Sequence, residues 1–466
     1  MSTEHEPTPR GLPGIAAPDP ATAERERAWL VDVAQRPLPA RAFAFLRAGG
    51  PAYLQSALTL GGGTVSAAVL SGATFGHALL WVAPVAMLIG VVMLAALSHQ
   101  TLSTGMDPLD AMRRFAGRGY AWLWAIGALL ASIIWHFPQY ALGSSVVADL
   151  GAVSGVDVPK LPAAFAILAW SILSSQLYGS RTRWMRLLER GVVLLVWSTI
   201  LCFLVVVVST GFPDPGAIAR GFVAFEIPAD RGDVRGVDVA LAGLAAAVVV
   251  NMVFLYPYTL LARGWGREHR QRARYDLGFG LFVPYVLAVS LVVIAMANTV
   301  HLDAAFSGRR LSPIEAAQCF TGLLGDTAGR VMFDLGILGM VLTTVTMHMV
   351  CAGFACSRLL GLPFGSVGHR LAMLLPAPGV FGAVWWGDIG VYVAVPTSIL
   401  CGLLLPVVYV GIWKLHRSDA YLGSDRPRGW RAAAWSAGMT SALVVVVAFV
   451  GWYLATSGIE YFTGGR

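Results

Sequence analysis

The chain has 466 residues, of which 56% are hydrophobic and 13% are charged, and its formal net charge is +7. About a quarter of the residues of an average soluble domain are charged, so this composition excludes a soluble globular protein and indicates one that lies in a membrane. The positive charge is carried by arginines in short segments between apolar stretches, which is typical of membrane topology signals and not of nucleic-acid binding.

The first 43 residues are polar and rich in proline, and they contain no apolar stretch that could act as a cleavable signal peptide. We expect residues 1–43 to be a disordered cytosolic tail, residues 44–456 to form the membrane domain and residues 457–466 to be a short tail. Eleven apolar stretches follow the first tail, each near the roughly 20 residues that cross a bilayer. They lie at 50–72, 76–98, 120–148, 161–178, 187–211, 237–262, 276–300, 328–356, 369–387, 390–414 and 431–456.

The Lys and Arg residues predict the orientation of these stretches, because cytosolic loops carry an excess of positive charge. A cytosolic N-terminus places the arginine-rich segments around Arg113, Arg267 and Arg426 on the cytosolic side. Eleven spans then put the C-terminus outside the cell. We expect an integral protein of the plasma (inner) membrane, with the lipid bilayer as its surroundings.

The first apolar stretch contains the sequence Leu60-Gly61-Gly62-Gly63-Thr64. Consecutive glycines break a helix, because glycine loses the most backbone entropy on ordering and packs no side chain. Lipid cannot satisfy the polar groups of an opened helix, so such a break occurs where it lines a polar cavity or is buried in protein. A close helix-packing surface made of small residues is the alternative interpretation of the same glycines.

The sixth stretch carries Pro257 near its centre, which predicts a second break there. Two interrupted spans, five spans apart, are typical of transporters built from inverted repeats, whose substrate binds at the breaks. This pattern predicts a first repeat over residues 50–211, a second over residues 237–414 and an extra helix over residues 431–456.

Two segments, Gly50–Leu54 and Gly72–Val82, resemble the start of the first span and the junction of spans one and two in the Nramp family. The runs Ala141–Ser145 and Thr397–Pro406 are similar to its third and tenth spans. Members of that family have the LeuT fold and move divalent transition metals together with protons. The resemblance therefore implies an all-α integral membrane protein with two inverted five-helix repeats and one extra helix.

The chain departs from the family at the positions that bind metal. The family's DPGN and MPHN motifs fall on Gly61–Thr64 and Tyr256–Thr259, so the carboxylate, the amide and the thioether of the usual site are expected to be missing. The family's acidic pair in span three falls on Phe137 and Tyr140. We therefore expect no conventional metal site and a substrate site remodelled by glycines and tyrosines, with room in its cavity.

The candidate residues follow from the two breaks and from polar groups deep in the spans. The predicted substrate-binding residues are Gly61, Gly62, Gly63, Thr64, Tyr256, Pro257, Tyr258 and Ser398, the last at the position of a family glutamine. The candidate proton relay consists of His136, Tyr140 and His348, since histidine titrates near neutral pH. For His136 the alternative is an imidazole satisfied by a neighbouring backbone carbonyl, and for His348 it is a packing role.

The predicted function is secondary-active transport by alternating access around the broken first and sixth spans, nominally of a metal ion and with coupling to protons as a hypothesis. A carrier of a small polar organic solute and a non-transporting membrane sensor are the alternatives. The sequence contains no GxxxxGK[ST], HExxH or GxSxG motif, so we expect neither an enzyme nor a cofactor. The expected partners are an ion or small-molecule substrate and lipid, and not nucleic acid.

Overall fold

A computed structural model describes residues 20–48, 50–177, 200–303, 311–386 and 390–455, together with the isolated positions 194, 197 and 308. The regular elements of this part of the chain are helices, and its one β-bridge joins Arg231 and Val234. Two helices precede the membrane domain, α1 (Pro20–Gln35) and α2 (Leu38–Ala48). The predicted 457–466 tail and residues 1–19 lie outside the described residues.

The first half of the membrane domain contains α3 (Pro51–Thr59), α4 (Gly62–Phe75), α5 (Val82–Thr104), α6 (Arg118–Ile134), α7 (His136–Val153), α8 (Lys160–Leu177) and α9 (Ile200–Thr210). The second half contains α10 (Pro215–Val223), α11 (Gly236–Ala247), α12 (Val250–Ala262), α13 (Arg267–Leu302), α14 (Pro313–Leu324), α15 (Asp326–Leu360), α16 (Val367–Trp386), α17 (Gly390–Gly402), α18 (Leu405–His416) and α19 (Gly429–Tyr453).

Eight helical segments of the described chain are long and apolar enough to cross a membrane, counting α6 with α7 and α11 with α12 as one segment each. The bent pair α17 and α18, which meet at 40°, makes a ninth. The predicted first span is divided between α3 and α4, and the predicted fifth span, 187–211, is described as a helix only over Ile200–Thr210. Only 11% of the most apolar stretch of the last helix, α19, is buried, as expected for a peripheral helix against lipid.

The predicted break in the first span is confirmed. The helix α3 ends at Thr59 and α4 begins at Gly62. Gly61, between them, has an extended backbone with φ −84° and ψ 176°. The glycines act here as expected, because they pack no side chain that would stabilise a continuous helix.

The second break exists, but its predicted position at Pro257 is wrong. The chain leaves the helical conformation at Val248 (φ −140°, ψ 97°) and Val249 (φ −86°, ψ 157°), whereas Pro257 lies inside α12. Three consecutive valines, Val248 to Val250, are β-branched and stiff at χ1, which lowers their helix propensity and favours extended backbone. A proline eight residues into a helix removes one backbone hydrogen bond, and here it does not end the helix.

A proline does interrupt the third span. Pro138 has no N–H to donate to the carbonyl of Ile134, four residues before it. The helix α6 ends at Ile134, and α7 begins two residues later at His136.

The expectation of a disordered tail over residues 1–43 is wrong for residues 20–43, which form α1 and the first part of α2. Leu30, Val33 and Phe45 are buried together, and Phe45 packs on the ring of Tyr275 with 5.2 Å between centroids. The apolar residues are too few to fold alone, but α13 supplies the missing partner. We call the side of the membrane domain that carries α1 and α2 the N-terminal face, and the other side the opposite face.

Candidate functional site

The two breaks meet inside the membrane domain, so that each half-helix end faces the start of another. The end of α3 contacts the start of α12, because Thr59 Oγ1 lies 3.1 Å from Met252 Sδ. The start of α4 contacts the end of α11, because Thr64 Oγ1 lies 3.3 Å from the carbonyl oxygen of Ala246. Thr64 Oγ1 also donates to the carbonyl of Thr59, at 2.6 Å, and thereby joins the two pieces of the first span.

Met252 brings a thioether to this crossing, and the sequence analysis missed it. Matching the family's MPHN motif to Pro257 led to the expectation of a phenol instead of a thioether. In the structure Met252 is the third residue of α12, fully buried, and its sulfur faces the Thr59 hydroxyl. Its position two residues after the run of valines is the signal that could have identified it.

Two amide side chains lie beside the same crossing. Gln55 is one helical turn before Thr59 on α3, so the two share a face, and neither its Oε1 nor its Nε2 has a hydrogen-bond partner in the described part of the chain. Asn251 Oδ1 accepts the N–H of Met252 at 2.8 Å, within the first turn of α12. Cys351 Sγ lies 3.5 Å from the carbonyl oxygen of Asn251 and brings α15 to the site.

Four helix ends contribute their free backbone groups. The last turns of α3 and α11 leave carbonyls, and the first turns of α4 and α12 leave N–H groups, that have no partner within their own helices. The carbonyl ends carry partial negative charge and suit a cation. Within the described residues, no group of three or more His, Cys, Asp or Glu side chains could hold a metal ion. The crossing is therefore a neutral site of carbonyl, hydroxyl, amide and thioether groups.

The predicted room next to the glycines is occupied by the third span. A Cβ added to Gly62 would lie 2.7 Å from Gln139 Oε1, and one added to Gly63 would overlap the indole of Trp135. The expectation that these glycines enlarge the cavity is wrong for Gly62 and Gly63, whose missing side chains allow α7 to pack closely. Gly61 is the glycine that stands in the break itself.

A small cavity lies on the other side of Thr64, between α4, α11 and α13. Its volume is about 20 Å³, and its polar wall includes Thr64, Ser71, Tyr285 and Ser290. A cavity of this size holds about one water molecule. In this conformation it can therefore accept a water or a bare ion, but not an organic solute.

Tyr256, Pro257 and Tyr258 are not brought to the crossing. They follow Val249 by seven to nine residues, or roughly 10–14 Å along the helix axis. Tyr256 is buried with its hydroxyl unpartnered among the described residues. Tyr258 donates to Asp107 Oδ1 at 3.2 Å, near the end of α5 on the N-terminal face.

Asp107 connects three elements on the N-terminal face. Besides the Tyr258 hydroxyl, its carboxylate meets Arg358 of α15 at 3.1 Å. Burial raises the pKa of the Asp107 carboxyl above its usual value, while the charge of Arg358 opposes that rise. Tyr258 therefore belongs to a polar contact that closes this face.

Ser398 is fully buried on α17, and its hydroxyl donates to the carbonyl of Ala394 at 2.6 Å. This local bond satisfies the hydroxyl within its own helix. Its assignment to the substrate site stays a prediction.

The three candidate relay residues lie together at the interface of α7, α8 and α15. The ring of His136 is 5.4 Å from that of Tyr140 and 5.7 Å from that of His348, measured between centroids. His136 Nε2 lies 3.0 Å from the carbonyl oxygen of Val345, and Tyr140 Oη lies 3.2 Å from Ser171 Oγ. The Nδ1 atoms of both histidines have no partner among the described residues. One backbone contact thus satisfies half of His136, as the alternative interpretation expects, and the relay role stays a prediction.

Comparisons with known proteins agree with the resemblance. The curated divalent metal cation transporter MntH of Brucella suis is 22% identical over 85% of this chain and 86% of its own length. That of Mycobacterium tuberculosis is 24% identical over 88% of this chain and 92% of its own.

Solved structures show the fold. The manganese transporter of Eremococcus coleocola, in complex with an aromatic bis-isothiourea substituted compound, has a TM-score of 0.70 at 14% identity, with 90% of this chain and 88% of that chain covered. MhsT in complex with L-phenylalanine has a TM-score of 0.61 at 12% identity, with 87% and 98% covered. The chain thus has the all-α LeuT-type fold. The model of the Nramp family, described as natural resistance-associated macrophage protein-like, matches residues 52–455, and the chain belongs to that family.

Proposed function

We propose that this chain is a secondary-active transporter that carries a divalent metal cation by alternating access around its two helix breaks. The observation that carries the proposal is the 3.1 Å contact between Thr59 Oγ1 and Met252 Sδ, which puts a soft ligand between the breaks. The names of the curated relatives, divalent metal cation transporters, support the same class of substrate.

The proposed ligands are Met252 Sδ, Thr59 Oγ1, Gln55 Oε1 and carbonyls from the last turns of α3 and α11. None of them carries a charge. Attraction to a carboxylate at close range is worth several kcal/mol even at an effective dielectric of about 20, so its absence weakens binding of any divalent ion. The thioether provides selectivity for soft cations but does not replace the lost attraction of a carboxylate. We therefore expect a soft cation such as Cd²⁺ to bind better than Mg²⁺.

The cavity beside Thr64, at about 20 Å³, has room for one water-sized occupant, but Met252, Thr59 and Gln55 do not line it. No feature of the crossing favours the alternative of an organic solute, and none favours a sensor. Both remain outcomes of the test below.

Alternating access requires the crossing to open toward one face at a time. The Asp107–Tyr258–Arg358 contact closes the N-terminal face, while a cavity of about 610 Å³, lined by His77, Asp214 and His301 among others, lies on the opposite face. We infer that this conformation is closed toward the N-terminal face. The arginine bias supports a cytosolic N-terminal face and an exterior opposite face in the plasma membrane.

The experiment is uptake of Cd²⁺ and Mn²⁺ into proteoliposomes, with binding measured by calorimetry on the same preparations. Met252→Ala removes the proposed soft ligand and should reduce Cd²⁺ affinity by about tenfold or more. A tenfold change in Kd corresponds to about 1.4 kcal/mol of binding free energy. Leu261→Ala, on the same helix but nine residues beyond Met252, also truncates a buried side chain. It is the matched control and should bind Cd²⁺ as the wild type does.

Three results would contradict the proposal. Wild-type protein that binds no divalent metal, but is stabilised by one class of organic solute, would establish the organic carrier. Protein that binds neither, and moves neither, would point to the sensor. Equal Cd²⁺ affinity in wild type and Met252→Ala would keep metal transport but remove the assigned ligand.

A further inference from the structure

Two buried carboxyl groups and one arginine form a cluster between α7 and α15, in the half of the molecule nearer the opposite face. Arg330 Nε donates to Asp149 Oδ2 at 3.1 Å, and its Nη2 donates to Asp149 Oδ1, so the pair is two-pronged. Asp149 is 2% exposed, and Asp334, one helical turn from Arg330 on α15, is 0% exposed. This cluster lies away from the proposed substrate site.

Asp334 is the unusual member of the cluster. Neither of its carboxyl oxygens accepts a hydrogen bond from a donor group in the described part of the chain. It stands one helical turn after Arg330, whose guanidinium is already engaged by Asp149. A buried carboxyl without a donor group is arranged to hold a proton.

A count of charges leads to the same conclusion. Arg330 makes its two-pronged contact with Asp149, which compensates one carboxylate and leaves the second buried acid without a counter-ion. An uncompensated charge buried inside a membrane protein is costly, so Asp334 holds a proton beside the Asp149–Arg330 pair. Asp326, 3.5 Å from Arg330, is 75% exposed and well solvated.

The elements packed against α15 add few other charges here. On α14, Glu315 accepts the N–H of Ser312 at 2.7 Å and so caps its own helix. On α8, Lys160 stands at the first position of the helix. The groups that act on Asp334 are thus Asp149 and Arg330.

We infer that Asp334, beside the Asp149–Arg330 pair, is the proton-binding site through which this transporter couples cation movement to protons. This inference rests on the proposed transport function. Water on the opposite face donates a proton to the carboxylate, which becomes the neutral acid. Loss of the same proton to water restores the carboxylate.

Further polar groups follow the pair along the interface of α15 with α7 and α8. They include the Ser174–Thr346 contact, at 3.0 Å, and then His348, with its unpartnered Nδ1. His348 is 14 residues from Asp334, or roughly 21 Å along α15. Val341 packs at Gly143 between them, so the histidines form a second station rather than a continuation of one hydrogen-bonded chain.

The test compares Asp334→Asn with Asp326→Asn, which removes an exposed acid near the same arginine. Proteoliposomes that contain a pH-sensitive dye report proton uptake driven by a Cd²⁺ gradient. We expect Asp334→Asn to lower proton uptake per Cd²⁺ at least tenfold, to the level of leak, and to leave Cd²⁺ affinity unchanged. Asp326→Asn should leave both unchanged. Asp334→Glu keeps the carboxyl group and should retain coupling, which separates a proton role from a packing role.

A second readout does not need transport. Infrared spectra of the detergent-solubilised wild type should contain a carbonyl band from a protonated carboxylic acid, lost in Asp334→Asn and kept in Asp326→Asn. A band that persists in Asp334→Asn, or proton uptake per Cd²⁺ equal to the wild type in that variant, overturns the inference. If the wild type moves no metal, the transport proposal fails, and the infrared band alone decides whether Asp334 binds a proton.

Discussion

The main-chain N–H of Ala52 donates to the carboxylate of Asp276, at 2.8 Å, across more than two hundred residues of chain. Ala52 is the second residue of α3, and Gly50 before the helix has no side chain to cap it. Asp276 on α13 therefore acts as the N-cap of the first half-helix, where a carboxylate also complements the helix dipole. The contact fixes the half-helix that ends at Thr59 and hence one side of the proposed site.

Asp276→Asn should destabilise the protein by about 1 kcal/mol, because the amide oxygen still accepts the hydrogen bond but its charge is lost. Asp276→Ala should cost about 2 kcal/mol, because it leaves the N–H unpaired. The melting temperature in detergent measures both changes. Asp32→Asn on exposed α1 is the control. Equal melting temperatures for Asp276→Ala and the wild type would mean that the cap does not hold α3.

The N-terminal helices are held by Arg272, whose guanidinium lies 5.1 Å from the ring centre of Trp29 and 4.6 Å from that of Trp265. Each such cation–π contact is worth roughly 0.5–2 kcal/mol, and Arg272 also pairs with Glu26. Arg272→Ala should therefore release α1 and α2, with hydrogen exchange over residues 20–48 at least tenfold faster. Arg25→Ala, an exposed arginine of α1, should leave exchange unchanged, and unchanged protection in Arg272→Ala would refute this account.

Gly63→Ala tests the close packing of α4 on α7. A Cβ at this position overlaps the indole of Trp135, so helix or ring must shift. Overpacking of this kind costs about 1–3 kcal/mol. Gly451→Ala on α19 meets no atom within 4 Å and serves as the control, with a melting temperature at or above that of the wild type. If Gly63→Ala is as stable as Gly451→Ala, the glycine is not a packing residue.

Arg358→Gln tests the polar contact on the N-terminal face through its pH dependence. Burial already raises the pKa of Asp107, and loss of the Arg358 charge should raise it further. The folded state then binds a proton more tightly than the unfolded state, so stability falls as pH rises from the ordinary value of 3.8 toward the raised pKa.

The measurement is the difference in melting temperature between pH 5 and pH 7.5. In Arg358→Gln the melting temperature should fall more between pH 5 and pH 7.5 than it does in the wild type. Arg113→Gln is the matched control, since Arg113 pairs with the half-exposed Asp110, at 3.3 Å. The same pH profile in Arg358→Gln and Arg113→Gln would show that Arg358 does not govern Asp107.

The sequence was sufficient to predict the fold and the first break, because three glycines leave no side chain to stabilise a helix. It failed at the second break because proline is a familiar helix breaker, whereas Pro257 is tolerated in α12 and the valines at 248–250 adopt the extended conformation. The break at the valines, and not Pro257, brings Met252 to the crossing. Local propensity cannot rank two weak signals when tertiary packing decides between them.

Gln55 and the N-terminal helices were missed for a different reason. Neither amide atom of Gln55 has a hydrogen-bond partner in the described part of the chain, and no sequence pattern displays such a feature. The apolar residues of α1 and α2 are sparse, and their burial depends on Tyr275, far away in the chain. Both features are products of tertiary structure.

The Met252 thioether is proposed to bind the transported cation. X-ray absorption of Cd²⁺ bound to the purified protein is the most direct test of that bond. We expect a sulfur neighbour in the wild type and in Cys351→Ser, the nearby thiol variant, and only oxygen neighbours in Met252→Leu. A wild-type spectrum without sulfur, or sulfur that persists in Met252→Leu, would contradict the account.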